Sequence, residues 1–119
     1  MTLKECYDRL GGDHADAIAR LRSEGFVQKY VLRFLEDKSF GLLCTALEAG
    51  DVQEAFRAAH TIKGMCQNLS FTTLADSSSA MTEALRGGDL EGGKALLDTV
   101  RQDYERTTDA IRAFQAELT

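Results

Sequence analysis

Residues 51–69 of the chain read DVQEAFRAAHTIKGMCQNL and hold the clearest periodic pattern in the sequence. The apolar members of this stretch recur at spacings of three and four: Val52, Ala55, Ala59, Ile62, Cys66 and Leu69. Such spacing places them along one face of an α-helix. Asp51 followed by Glu54 is a helix-start signal, because a carboxylate there accepts hydrogen bonds from the free N–H groups of the first turn. The pattern therefore predicts an amphipathic helix over 51–69.

Three further helices follow the same spacing, over 40–49, 71–86 and 90–118. Their apolar faces are formed by Phe40, Leu43 and Leu47; by Phe71, Leu74, Ser78, Met81 and Leu85; and by Leu97, Val100, Tyr104, Thr107, Ile111, Phe114 and Leu118. The links between consecutive helices are short, so neighbouring helices must run antiparallel. We expect an up-down four-helix bundle with these helices as its core, which spans about 40–118.

Additional helices are predicted before the bundle. One short helix is predicted from the spacing of Leu3, Cys6 and Leu10, and a second contains Ile18 and Leu21. A third runs over 24–37 and packs alongside or caps the bundle, with one face formed by Val27, Tyr30, Val31, Phe34 and Leu35. Alternating strand-like runs are absent. The predicted fold class is all-α, as a single domain over 1–119 in which 1–22 form an N-terminal extension.

Cap and stop residues mark the ends of these helices. The predicted N-terminal caps are Thr2 with Glu5, Asp13, Ser23, Ser39, Ser70 and Asp89. The predicted stops are Gly11-Gly12, Gly50 and Gly87-Gly88. Side-chain oxygens accept from the first turn, and glycine adopts the left-handed conformation that commonly ends a helix.

Composition excludes several classes of protein. The chain has 119 residues, is 44% hydrophobic and contains no proline. Its longest apolar stretch, 41–47, is far shorter than the roughly 20 residues that span a bilayer. A net charge of −5 without a Lys/Arg cluster argues against nucleic acid as a partner. We expect no signal peptide, no membrane segment and a cytoplasmic location, with the three irregularly spaced cysteines (Cys6, Cys44 and Cys66) free and buried.

Neither a metal nor a cofactor is indicated by any motif. Bundle di-metal sites use Glu-x-x-His pairs, and neither His14 nor His60 has a glutamate three residues before it. The zinc pattern H-E-x-x-H and the glycine patterns of nucleotide-binding loops are also missing. We therefore expect no cofactor, no metal and no ATP site, and we expect His14 to be a surface residue.

His60 is different, because the helical wheel turns it away from the apolar face. It lies roughly 130° from the centre of that face and should point into solvent. One turn away stand a cation, Lys63, and a residue without a side chain, Gly64. An exposed imidazole can attack phosphorus, Lys63 can offset the charge of a bound phosphoryl group, and Gly64 leaves room for it. The alternative is a surface histidine beside an incidental glycine.

The sequence around His60 resembles a known signature. Ala59-His60-Thr61-Ile62-Lys63-Gly64, followed by Asn68-Leu69, is similar to the Ala-His-x-Leu-Lys-Gly motif of histidine phosphotransfer (HPt) domains. The turn at 84–90 also resembles that family, and the resemblance covers about 24–118. Met65-Cys66, Ser70 and Met81-Thr82 depart from the family pattern, away from the histidine.

That resemblance implies a phosphorelay intermediate. His60 would accept a phosphoryl group from the aspartyl phosphate of a response-regulator receiver domain and pass it to another, supported by Lys63 and Gly64. Gln67, on the same side of the helical wheel, is a further candidate as a hydrogen-bond donor to that group. The chain would be a monomeric, stoichiometric carrier rather than an enzyme, and Mg²⁺ would belong to the receiver. A hybrid sensor histidine kinase is a further expected partner.

The position of Phe56 and Arg57 beside His60 makes them candidate contacts for the receiver. Phe56 lies about 90° from the centre of the apolar face, so it is either part of a docking surface or a core residue at the edge of that face. Two rivals to the whole interpretation remain: a helical adaptor that binds signalling partners without phosphotransfer, and a bundle enzyme with a metal or cofactor.

Overall fold

The computed structural model describes residues 1–118, and these form seven α-helices and no strand. In chain order the helices are α1 Leu3–Leu10, α2 His14–Leu21, α3 Glu24–Phe34, α4 Ser39–Ala49, α5 Val52–Leu69, α6 Thr72–Arg86 and α7 Leu90–Ala116. The prediction of an all-α fold with additional N-terminal helices is confirmed.

The bundle consists of α4, α5, α6 and α7. Each of these helices makes its main contacts with the next one along the chain, and α4 also meets α7 to close the bundle. The links are turns of only a few residues, so the neighbours run antiparallel, as predicted. This arrangement puts the C-terminal end of α6 beside the N-terminal half of α5, where Arg86 meets Phe56.

Most of the predicted caps are confirmed. Thr2 and Glu5 form a reciprocal capping box, and Asp13, Ser23, Asp51 and Asp89 each accept a hydrogen bond from a backbone N–H in the first turn of their helix. Gly11 and Gly50 end α1 and α4 in the left-handed conformation. The helix starts were therefore readable from local chemistry.

Two predicted caps are wrong. Ser39 is the first residue of α4, and its own N–H donates to Asp37 Oδ1 over 2.8 Å. Ser70 ends α5 rather than starting α6: it has φ 56°, and its N–H points back to the carbonyls of Cys66 and Gln67. Its hydroxyl is used elsewhere, donating to Asp16 Oδ2 at 2.5 Å.

Some helix ends and faces also differ from the prediction. The α3 helix ends at Phe34 because the next three N–H groups bond to carbonyls three residues back, which tightens the chain into turns. Tyr30 is 40% exposed instead of facing the core, and Leu118 lies beyond the end of α7 and is 47% exposed. Val52, Leu97 and Tyr104 are only half-buried.

The N-terminal residues dock on the turn between α5 and α6, in what we call the N-terminal clamp (residues 1–22 with the 69–73 turn). The Tyr7 hydroxyl donates to the Leu69 carbonyl over 2.7 Å, and the Asp13 N–H donates to the Ser70 carbonyl over 2.9 Å. α1 also packs along α7, and α3 contacts α2, α5 and α7. The clamp fixes the C-terminal end of α5, the helix that carries His60.

Candidate functional site

His60 lies in the middle of α5 and is exposed, as the helical wheel predicted. Within residues 1–118 its imidazole makes no hydrogen bond and no ion pair. Its aromatic contact is with the ring of Phe56, at 5.8 Å between ring centroids and 80° between planes. Both ring nitrogens are therefore free to react or to bind.

The space beside His60 is open. A Cβ built on Gly64 would have no neighbour within 4 Å. Gly64 also follows His60 by one helical turn, so the two positions are neighbours on the helix surface. Gln67 is exposed about one turn further along. The helix surface next to His60 is therefore unobstructed at the Gly64 position.

Two cationic side chains lie near His60, and they differ in whether a carboxylate already pairs with them. Arg57 is exposed, and its guanidinium is paired with Glu54 Oε1 at 2.7 Å. Lys63 is half-buried and forms no ion pair in the part of the chain that the structure describes. Lys63, one turn from His60, is therefore a nearby cation that is not already paired with a carboxylate of the described residues.

Phe56 is half-buried between α5 and α6, intermediate between the two roles considered for it. The Arg86 guanidinium lies over its ring, with Cζ 5.0 Å from the centroid. Arg86 is in turn held by Glu83, with Nε 3.0 Å from Oε2. Arg86 was not among the residues singled out from the sequence. The sequence did offer one indication of this contact. Arg86 directly precedes the Gly87-Gly88 stop, so it lies at the C-terminal end of α6, and in an antiparallel pair this end lies beside the start of α5.

His14 is less exposed than we predicted. Its side chain is only 20% exposed, because it sits in the N-terminal clamp. Nε2 lies 3.1 Å from Glu24 Oε1, and the ring meets Tyr7 edge-on with centroids 5.7 Å apart. Unlike His60, this imidazole is already engaged.

The cysteines follow the prediction in part. Cys6 and Cys66 are fully buried, and burial raises the pKa of the Cys6 thiol to about 11 and that of Cys66 well above its usual range. Cys44 is half-buried, which differs from the prediction. Both buried thiols are held in the protonated, unreactive form, because the thiolate is the nucleophile.

Neither a metal centre nor a membrane span is found in the described part of the chain. Among residues 1–118, no group of three or more His, Cys, Asp and Glu side chains is placed to hold a metal ion. None of the seven helices is both long enough and apolar enough to cross a bilayer.

Comparison with known proteins identifies the family of the chain. A family model described as the Hpt domain matches residues 37–111, which is more than half of the sequence and contains His60. Comparison with curated proteins and with solved structures gave no significant match. Hpt domains are helical bundles with a phosphotransfer role in two-component signalling, in agreement with the fold and the open histidine described above. The chain belongs to the Hpt domain family.

Proposed function

We propose that His60 accepts a phosphoryl group from the aspartyl phosphate of one receiver domain and passes it to another. The observation that carries this proposal is an exposed imidazole in the middle of α5, without a hydrogen bond to any described residue and beside an open glycine position. The family resemblance at 59–64 supports the same residue.

The group that reacts on this chain is the nucleophilic imidazole of His60. The lone pair of the unprotonated ring nitrogen forms an N–P bond. The P–O bond to the receiver aspartate breaks, and its electron pair stays on the carboxylate. The proton on the other ring nitrogen exchanges with water. Onward transfer reverses these steps on a second receiver, and the acidic Mg²⁺ site of each receiver stabilises the phosphoryl charge there.

The neighbours of His60 have supporting roles in this proposal. Lys63 offsets the charge of the phosphoryl group, because the group carries roughly −1.5 to −2 at neutral pH. Gly64 leaves the room that the group occupies. Gln67 is placed about two turns along the same face, where its amide is available to donate a hydrogen bond to a phosphoryl oxygen.

We propose partners of the kind that the family uses. A receiver that reaches the imidazole covers the adjacent surface, which includes Phe56 and Arg57. A hybrid sensor histidine kinase that carries such a receiver would be the upstream donor. The chain acts as a monomeric, stoichiometric carrier in the cytoplasm and not as an ATP-using enzyme. We further propose that 1–119 form one domain, because 1–22 are docked on the bundle and not separated from it.

An adaptor that only binds partners is the alternative, and one experiment separates the two. The chain is incubated with a phosphorylated receiver, and acid-labile, base-stable phosphate is measured on it. We expect transfer to the parent chain and to a His14→Gln control, and no transfer to His60→Gln. His60→Gln should stay folded, because an exposed substitution of this kind changes the stability by less than about 0.5 kcal/mol. Labelling of His60→Gln, or no labelling of the parent, would contradict the proposal.

A further inference from the structure

The His60 imidazole is not free to turn on all sides, although it makes no hydrogen bond within residues 1–118. The Phe56 ring stands against it at 5.8 Å and 80°, a distance and angle within the preferred range for edge-to-face aromatic pairs. Phe56 precedes His60 by one helical turn, so this contact is built into α5. The aromatic neighbour therefore biases the imidazole toward one orientation.

Phe56 is itself fixed from the adjacent helix. The Arg86 guanidinium lies over its ring at 5.0 Å, within the range of a cation–π interaction. Glu83 holds the guanidinium by a 3.0 Å contact one turn earlier on α6. The ring also packs against the hydrophobic core on its buried side. A chain of contacts thus runs from Glu83 through Arg86 and Phe56 to the reactive ring.

We propose that Phe56 and Arg86 are positioning residues for phosphoryl transfer: Phe56 orients the His60 imidazole, and Arg86 holds Phe56 in place from α6. The inference rests on the proposed function of His60. It differs from a docking role for Phe56, because positioning affects transfer from any donor and docking affects only transfer from a receiver.

A small phosphoryl donor separates these roles. Phosphoramidate transfers its phosphoryl group without a protein partner: its P–N bond breaks, ammonia leaves, and the new N–P bond forms on His60. Phe56→Leu keeps an apolar side chain and removes the ring, and we expect labelling to slow by about threefold to tenfold, the range that an aromatic pair supports. Arg86→Gln should slow it by about twofold to fivefold, as expected for an exposed cation–π contact.

Conservative variants and a matched control complete the series. Phe56→Tyr and Arg86→Lys retain the ring and the cation, and they should recover most of the rate. Arg112 is an exposed arginine paired at the same spacing with Asp109, at 3.6 Å, and it contacts no aromatic ring within residues 1–118. Arg112→Gln should label at the parent rate. Denaturant unfolding of each variant shows whether a loss of rate follows a loss of folded protein.

The orientation of the ring can be measured without any transfer. In the unphosphorylated parent we expect nuclear Overhauser contacts between Phe56 and His60, together with ring-current shifts of the imidazole protons. Arg86→Gln should weaken both, and Arg112→Gln should not. If no donor labels the parent chain, the proposed function fails, but this spectroscopic result still decides the positioning geometry.

Three outcomes would overturn the inference. One is labelling of Phe56→Leu by phosphoramidate at the parent rate. Another is a Phe56→Leu variant that is labelled more slowly by a phosphorylated receiver but not by phosphoramidate, since that result would assign Phe56 to docking alone. The last is a decrease in labelling rate that is no larger for Arg86→Gln than for Arg112→Gln. If Phe56→Leu does not fold, the labelling rates of Arg86→Gln, Arg86→Lys and Phe56→Tyr test the positioning role instead.

Discussion

Two glycines, one within α5 and one packed against its C-terminal turn, differ sharply in how closely the protein surrounds them. A Cβ on Gly64 would have no neighbour within 4 Å. A Cβ on Gly12, in the turn between α1 and α2, would lie 2.8 Å from the Ser70 carbonyl oxygen and 2.8 Å from the Tyr7 ring. The first glycine leaves space empty beside a reactive group, and the second lets two backbones approach closely.

The contrast separates the part of α5 that reacts from the part that holds it. Around Gly64 and His60 the side chains are exposed or half-exposed and sparsely bonded. At the other end, the N-terminal clamp joins Tyr7, Asp13 and Asp16 to the 69–70 turn by direct hydrogen bonds. Changes at the clamp should therefore lower stability and spare transfer by the folded protein. Changes near His60 should alter transfer without destabilising the fold.

Filling the clamp glycine should have the largest effect on stability. Gly12→Ala forces a methyl group against backbone, and overpacking of this kind costs about 1–3 kcal/mol of unfolding free energy. Denaturant unfolding measures the loss, and labelling per folded molecule should equal that of the parent. An unchanged unfolding midpoint would mean that residues 1–22 do not dock as described.

Removing a single hydroxyl in the clamp should have a slightly smaller effect. Tyr7→Phe leaves the Leu69 carbonyl without its buried donor, and we expect a loss of about 1–2 kcal/mol. Tyr30→Phe is the matched control, since Tyr30 is 40% exposed, and it should change the stability by less than about 0.5 kcal/mol. Equal unfolding curves for the two variants would contradict the role given to Tyr7.

Substitution of Gly64 should raise stability and slow transfer, the reverse of substitution of Gly12. Gly64→Ala should stabilise the chain by up to about 1 kcal/mol, because alanine is favoured over glycine within a helix. It should also slow phosphoryl transfer, and Gly64→Leu should slow it more. A Cβ on Gly41 in α4 would likewise meet nothing within 4 Å, so Gly41→Ala should leave transfer unchanged. Transfer by Gly64→Leu at the parent rate would remove the steric argument.

Acid should weaken the contact between Asp16 and the 69–70 turn. Hydrogen bonds from Ser70 and Arg20 lower the pKa of Asp16 below its usual value. A carboxyl whose pKa is lower in the folded state stabilises the fold above its unfolded pKa, and this contribution is lost as the pH falls through the folded pKa. Asp16→Asn should therefore flatten the acid side of the stability profile. A profile that keeps the slope of the parent would show that this carboxylate is not coupled to folding.

The helices around His60 were predictable because periodicity and caps are local. The exposure of His60 follows from the same wheel that buries Ala59 and Ile62. The roles of Ser39 and Ser70 were predicted wrongly because a serine next to a helix end can either precede the helix as a cap or belong to it. Ser70 has a left-handed backbone at the end of α5, and its hydroxyl bonds to Asp16 in another helix.

Other features depend on contacts between distant residues, which one sequence does not show. His14 was expected on the surface because nothing local indicates that Tyr7 and Glu24 enclose it. Arg86 was missed because its partner, Phe56, lies on another helix. The docking of 1–22 on the α5–α6 turn likewise depends on the fold as a whole.

The most direct test of phosphotransfer through His60 is the position of the phosphoryl group itself. The chain, labelled with ¹⁵N in its histidines, is phosphorylated by a receiver and examined by NMR for coupling between ³¹P and a ring nitrogen. We predict one coupled histidine, His60, with His14 unchanged. Coupling at His14, or phosphate on the chain with no coupling to either histidine, would contradict this assignment.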